Sequence, residues 1–227
     1  NDPAQVVVGG AGLSGIQSAG EIAEFRDKHR APLEIHLVEG LDSVFPNNDP
    51  VVQAKLRKLL EEKGVEIHTG EFIGEVDDET VYVGDETELD YDVLLWTGGI
   101  TGQDAAETAA VDKDERSNRI EAASDFRTSD ERVFALGDAA LVDQPGHDNP
   151  APPTAQAAWQ EPLVEWTHED KGTLISVGSK AVAHNVKGLP MDTFGGPAAK
   201  ALKKTVAARW ITTVTGFGDA AKAFPDM

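Results

Sequence analysis

Residues Gln5–Ser18 read QVVVGGAGLSGIQS, and the rest of the chain can be placed around them. Val6, Val7 and Val8 form a β-branched apolar run, Gly10, Gly12 and Gly15 complete G-x-G-x-x-G, and helical spacing begins at Ile16. The pattern is that of a strand, a glycine turn and a helix start. Gly10 permits the tight turn, Gly12 lets the backbone approach a pyrophosphate, and Gly15 lets helix and strand pack closely; the helix N-terminus attracts the anion. Glu34–Val38 (EIHLV) reads as the next strand and runs into Glu39. An acid at that point accepts hydrogen bonds from an adenosine ribose and repels a 2'-phosphate, which favours NADH over NADPH. The competing reading is a glycine turn in an unrelated doubly wound sheet.

Composition narrows the class. The chain has 227 residues, enough for one large or two small domains with a substantial core. Forty acids against 20 Lys and Arg give a formal net charge of -20, which argues against a nucleic-acid partner and suits a protein adapted to high salt, where counterions screen self-repulsion. There are no cysteines, so disulfides, thiolate metal sites and dithiol redox chemistry are excluded. The six histidines are scattered, with no pair at metal-ligand spacing, and each reads as a surface or packing residue. No apolar run reaches the roughly 18 residues of a membrane span, so a cytoplasmic location is expected. Because Asn1 is not methionine and the first strand begins almost at once, further chain upstream is also expected.

Taken in order, Ile16–Arg30 is the amphipathic crossover helix, stopped by Pro32, and Val51–Lys63 is a second helix stopped by Gly64. Val65–Thr69 should rejoin the parallel sheet. Phe72–Val76, Thr80–Val83 and Thr87–Leu89 are short alternating runs separated by acidic turns, which predicts an antiparallel meander. Tyr91–Trp96 (YDVLLW) is almost wholly apolar, as in a strand covered on both faces, and leads into Thr97, Gly98 and Gly99 at the edge of the sheet where ligands bind. Gln103–Arg119 is irregular. Arg132–Leu136 (RVFAL) reads as a strand ending in Gly137 and Asp138, where the acid suits either a ligand hydroxyl or a helix cap. Thr154–Glu169 is a predicted helix. Thr173–Val177 and Ala181–Val186 form a predicted hairpin, and a final helix runs from Pro197 to about Thr215. Between Gly196 and Ala223 there are five basic residues and one acid, so this helix reads as a membrane-surface element presenting Leu202, Val206, Trp210, Val214 and Phe217, or as a packing helix whose lysines pair with the acidic body.

The segments GGAGLSGIQSAGEIAEF, HLVEG, VLLWTGG, VFALGDAA and PPTAQAAWQ together resemble type II NADH dehydrogenases, the FAD-dependent NADH:quinone oxidoreductases of the pyridine nucleotide-disulfide oxidoreductase superfamily. The resemblance covers about residues 5 to 220. It implies an α/β fold: a Rossmann-like NADH domain with a parallel sheet and meander over 1–119, the second part of an FAD domain over 120–172, and a hairpin with an amphipathic helix over 173–227. It implies that Gly10, Gly12, Gly15 and Glu39 hold NADH, that Gly98 and Gly99 line the nicotinamide side, and that Gly137 and Asp138 contact FAD. Ala155, Gln156, Ala158 and Gln160 fit the A-Q-x-A-x-Q pattern on the quinone side, Ala155, Gln156 and Gln160 being the site candidates. Three departures stand out: the family's first G-x-G-x-x-G is not in this sequence, Gln17 replaces a common glutamate and cannot relay a proton by ionising, and the C-terminal segment offers no assignable quinone ligands. The implied partners are NADH and a quinone, with a homodimer and peripheral contact with the cytoplasmic face of a membrane as further expectations. A soluble ferredoxin or rubredoxin reductase, or a non-catalytic NADH-binding module, are the alternatives.

Overall fold

The computed structural model describes residues 2–146, 150–151, 165, 167–188 and 193–215, with 193 and 207–215 described by backbone alone. The chain divides into two compact units, Asn1–Gly98 with Lys171–Met227, and Gly99–Asp170. In this division the C-terminal segment belongs with the first unit.

In that first unit, β1 (Ala4–Gly9) leads into α1 (Leu13–His29), β2 (Leu33–Glu39), α2 (Pro50–Glu62) and β3 (Val65–Thr69). Helix α1 ends as Arg30 turns left-handed at φ 52°, two residues before Pro32. Helix α2 starts where the Asp49 carboxylate accepts from the Val51 N–H and stops at Gly64, φ 66°. The meander follows as β4 (Ile73–Val76), β5 (Thr80–Val83) and β6 (Thr87–Asp90), antiparallel as predicted, and then β7 (Val93–Trp96). The main sheet is parallel in the order β3-β2-β1-β7.

Strand alternation sorts the sheet's two faces. Val6, Val8, Ile35 and Leu37 meet Ile16, Leu56 and Leu60 of the helices, while Val7 and Val38 meet Val81 and Val83 of the meander. Each such buried aliphatic side chain contributes about 1.5–3 kcal/mol relative to exposure. Strand β7 departs from its predicted double burial: Val93 is 53% and Trp96 58% exposed. The reason is position. Among the described residues β7 pairs with β1 alone and forms the sheet's edge, and Leu94 packs against the meander core.

In the second unit, α3 (Asp104–Thr108), β8 (Ile120–Ala122), a 3-10 turn (Gly137–Ala139) and β9 (Ala140–Val142) surround a small core that includes Ala106, Phe126 and Ala135. Strands β8 and β9 pair in parallel. The strand predicted at Arg132–Leu136 is not formed. Phe134 makes one isolated antiparallel bridge to Arg127, and Val133, Phe134 and Leu136 stay exposed. The apolar run was present, but among the described residues no neighbouring strand offers it a ladder.

Back in the first unit, β10 (Thr173–Val177), β11 (Lys180–His184) and β12 (Thr193–Gly196) form an antiparallel sheet, followed by α4 (Pro197–Thr215). Ile175, Val177 and Val182 belong to the same core as α1. The contact is close at Gly20, where a Cβ would stand 2.7 Å from the Val177 Cα. Ala199 and Leu202 pack on Ala181 and Ala183, Lys200 donates to Glu21 and to the Gly178 carbonyl, and Lys203 donates to the Ser176 hydroxyl. Burial and the neighbouring Lys200 push the Lys203 amine below its ordinary value, against the pull of Glu21. The described half of α4 is thus a packing helix. The side chains of Trp210 and Val214, and all of Phe217, lie outside the described residues. No helix among the described residues is long and apolar enough to cross a membrane.

Candidate nucleotide site

The three glycines of the first turn occupy three different steric situations. Gly10 has φ 96°, and a Cβ there would stand 3.0 Å from Thr97 backbone and 3.1 Å from the Gly98 Cα. Gly15 would drive a Cβ to 1.8 Å from the Gly10 carbonyl oxygen, so no larger residue fits. A Cβ on Gly12 would meet nothing within 4 Å, which leaves that backbone facing open space. Gly12 is also the N-cap of α1, with no side chain capping it and no acid in the first turn. The first-turn N–H groups and the positive end of the helix dipole are therefore available to an anion.

Backbone bonds tie this turn to both neighbouring strands. The Gly10 N–H donates to Val38 at 2.7 Å and the Thr97 N–H to Gly9 at 2.7 Å. The Thr97 hydroxyl lies 2.9 Å and 3.0 Å from the Gly9 and Gly10 carbonyls. Glu39, 9% exposed, accepts from the Ala11 N–H at 2.8 Å through one carboxylate oxygen and from the Leu41 N–H at 3.0 Å through the other. Each oxygen keeps a second lone pair for a ligand hydroxyl. Glu39 thus closes the turn from the end of β2, a structural task added to the one expected of it. Folding brings Gly98 beside Gly10 because β1 and β7 are parallel neighbours with both C-terminal ends at this edge. The exposed Trp96 indole lies there too, within 3.0 Å of where a Cβ on Gly9 or Gly98 would stand. Gln17 sits half-buried one turn into α1.

In the second unit, Gly99 has φ 130° and Gly137 φ 71°, and a Cβ on either would meet nothing within 4 Å. Asp138 is exposed within the 3-10 turn, whose N-cap is Leu136, so Asp138 is not the cap. What secures the turn is Arg119, 9% exposed, donating from Nε to the Asp138 carbonyl at 2.8 Å and from its other end to the Ala140 carbonyl. Burial pushes the Arg119 guanidinium down, while the carboxylates of Asp138 and Asp114 pull it up. A cleft of about 490 Å³ in this unit is lined by Asp112, Glu121, Arg127 and Asp143, and shares no residue with the sequence-expected sites. Ala155, Gln156, Ala158 and Gln160, with the helix predicted around them, lie outside the described residues.

Sequence reading missed two features of the first unit. Thr97 gave no signal beyond preceding two glycines. The histidines are not all scattered: His36 on β2 and His68 on β3 converge, 3.2 Å apart between Nδ1 and Nε2, with Glu66 beside both. The available signal was parity, since His36, Glu66 and His68 occupy one face of adjacent strands once register is known.

A glycine turn at the switch between β1 and β7, with an acid at the end of β2, has the arrangement of the Rossmann type, in which dinucleotides bind at such a switch point. The sequence profile of the pyridine nucleotide-disulphide oxidoreductases matches residues 1–161, and the chain belongs to that family. It is 26% identical over 243 residues to a type II NADH:quinone oxidoreductase of Staphylococcus saprophyticus, covering 96% of this chain and 59% of the relative. The same figures of identity and coverage hold, over 249 residues, for the enzyme of that description from Staphylococcus aureus. The chain thus spans about three-fifths of the length of these relatives. Among solved structures, NDH2 of Plasmodium falciparum in complex with NADH superposes with a TM-score of 0.76 at 13% identity, covering 95% of this chain and 64% of that one. An FAD-dependent pyridine nucleotide-disulphide oxidoreductase from Desulfovibrio vulgaris gives 0.61 at 21% identity over 79% of this chain and 48% of its own. These two superpositions show a shared fold.

Proposed function

We propose that this chain binds NADH across the Gly10–Gly15 turn, and that it serves in an NADH:quinone oxidoreductase in which hydride passes from NADH to FAD and two electrons pass on to a quinone. The observation that carries the reading is the open backbone at Gly12 above an uncapped helix start, flanked by Gly10, which tolerates no side chain, and by Glu39. A pyrophosphate would accept from the first-turn N–H groups of α1, and the adenosine ribose hydroxyls would donate to the remaining lone pairs of Glu39. The nicotinamide would lie toward Gly98, Gly99 and the flat, exposed face of Trp96, a placement that excludes water from one side of the ring. Gln17 would act there as a neutral hydrogen-bonding group. Bound FAD would supply the two-electron acceptor between NADH and quinone. Gly137 fits the approach of such a group, since its turn is open, and Asp138 fits a hydroxyl partner, since its carboxylate is exposed. Ala155, Gln156 and Gln160 are proposed for the quinone side on the sequence pattern alone.

Similarity to the staphylococcal enzymes favours quinone over a protein acceptor. Contact with the cytoplasmic face of a membrane would fall to residues beyond Val206, because Lys200, Leu202 and Lys203 are engaged within their own unit. Assembly as a homodimer belongs to the same proposal. The test is binding followed by turnover. NADH should bind at least tenfold more tightly than NADPH, and the protein supplied with FAD should turn yellow, bleach with NADH and reduce a water-soluble quinone. Equal affinity for the two nucleotides overturns the role of Glu39. NADH binding without bleaching leaves a binding module and overturns the oxidoreductase reading.

A further inference from the structure

On the face of β2 opposite Glu39, three side chains that the nucleotide site does not use converge. His36 Nδ1 and His68 Nε2 are 3.2 Å apart, and the Glu66 carboxylate lies 3.6 Å from each through its two oxygens. The register of the parallel pair enforces this: His36 stands opposite Glu66, His68 stands opposite Val38, and alternation puts all three on one face. The histidine side chains are 12% and 21% exposed, whereas Glu66, at 65%, reaches in from solvent.

The distances discriminate between two arrangements. Ligand atoms bound about 2.0–2.1 Å from a tetrahedral zinc lie about 3.3–3.4 Å from one another. The His36–His68 spacing of 3.2 Å lies close to that edge length, and the Glu66 carboxylate offers one oxygen to each ring at 3.6 Å, Oε2 to His36 and Oε1 to His68. A carboxylate engaged only in hydrogen bonds with imidazoles would approach to about 2.7–3.2 Å. Glu66 stands too far from both rings for that, and close to a ligand's distance from each.

The surroundings set the protonation that a metal needs. His36 Nε2 lies 3.2 Å from Gln5 Oε1, and the Gln5 amide is oriented because its Nε2 donates to Glu34 at 2.9 Å and to the Pro3 carbonyl at 3.2 Å. Gln5 Oε1 is therefore the acceptor, His36 Nε2 carries the proton, and His36 Nδ1 presents its lone pair to the cluster. A backing hydrogen bond of this kind is the usual support of a metal-bound histidine.

The geometry points to a binding site for one zinc-type divalent cation, held by His36 Nδ1, His68 Nε2 and the Glu66 carboxylate, with a fourth position open to water. Two imidazoles and one carboxylate select a borderline transition cation over the hard cations magnesium and calcium, which take all-oxygen sites. The bound ion would fasten β3, the outer strand, to β2.

The experiment uses the full chain without any histidine tag, stripped with a chelator and then freed of it. Zn²⁺ alone is titrated against a chromogenic competitor, with Mg²⁺ in large excess to occupy the acidic surface. One Zn²⁺ per chain is expected. His68→Asn should lose at least a hundredfold in affinity, Glu66→Gln at least tenfold, and Gln5→Leu about tenfold through loss of the backing bond. At a hundredfold excess over Kd, Zn²⁺ should raise Tm by about 5 °C or more in the unaltered protein and leave His68→Asn unmoved. NADH affinity, which these residues do not touch, reports that each variant is folded. No binding to the unaltered chain overturns the site. Binding that survives His68→Asn and Glu66→Gln overturns it too, because the cation then sits elsewhere; so does displacement by Mg²⁺.

Discussion

The turn at Gly10–Gly15 and the turn at Gly137–Asp138 both open with a glycine of positive φ after an apolar run, and they are held in opposite ways. In the first, side chains are excluded by neighbouring backbone: Gly15 abuts the Gly10 carbonyl, and Gly10 abuts Thr97. In the second, Gly137 faces empty space, and the turn's position depends on Arg119, a residue 18 positions away in sequence, reaching its carbonyls. A turn locked by sterics can be read locally. One suspended from a distant side chain cannot.

Breaking the first turn should have the largest effect. Gly15→Ala places its Cβ where the Gly10 oxygen stands, and loss of about 3 kcal/mol or more is expected, read as collapse of Tm and of NADH binding together. Gly12→Ala sharpens the contrast: with open space around its Cβ, stability should change by less than about 1 kcal/mol, yet NADH affinity should fall tenfold or more. A Gly12 variant that binds NADH normally would remove the pyrophosphate from this turn.

The second turn should yield to its support and tolerate its glycine. Arg119→Met strands two carbonyls and should cost about 1–3 kcal/mol in denaturant unfolding. Gly137→Ala meets no atoms and suffers only from its φ of 71°, so about 1 kcal/mol is expected. If the two rank the other way, the glycine and not the arginine fixes this turn.

The smallest effect lies away from both. Glu24 takes a hydrogen bond from Lys63, which, with the Ser179 N–H and against partial burial, holds its carboxyl below the ordinary 4.5. Its stabilisation is present above about pH 4.5 and is lost as pH falls through the lowered value. With Glu24 38% exposed, solvent screening limits the effect. Glu24→Gln should cost under about 1 kcal/mol at pH 7, and thermal melts should converge with the unaltered protein in acid.

The contrast between the turns recurs at the scale of whole elements. Strand β1, helix α1, the meander and the hairpin were legible because each carries a period set by its own residues. Strand β7 and Arg132–Leu136 carried similarly apolar runs and misled, since coverage of a strand depends on what lies beside it. Gly20 held a faint clue. A glycine inside a helix costs about 1 kcal/mol and usually marks a close contact, here with β10.

By itself the sequence determined the strand-turn-helix of the nucleotide site, the meander and the acid at the end of β2, because those depend on glycine stereochemistry and on side-chain alternation along a few consecutive residues. Only the tertiary structure decided that Thr97 and Gly98 meet Gly10, that Arg119 holds the Asp138 turn, that the C-terminal hairpin completes the core over α1, and that His36 and His68 face each other. Those contacts depend on strand order and register, which are set by the packing of the whole sheet and leave no mark on the spacing between neighbours in the chain.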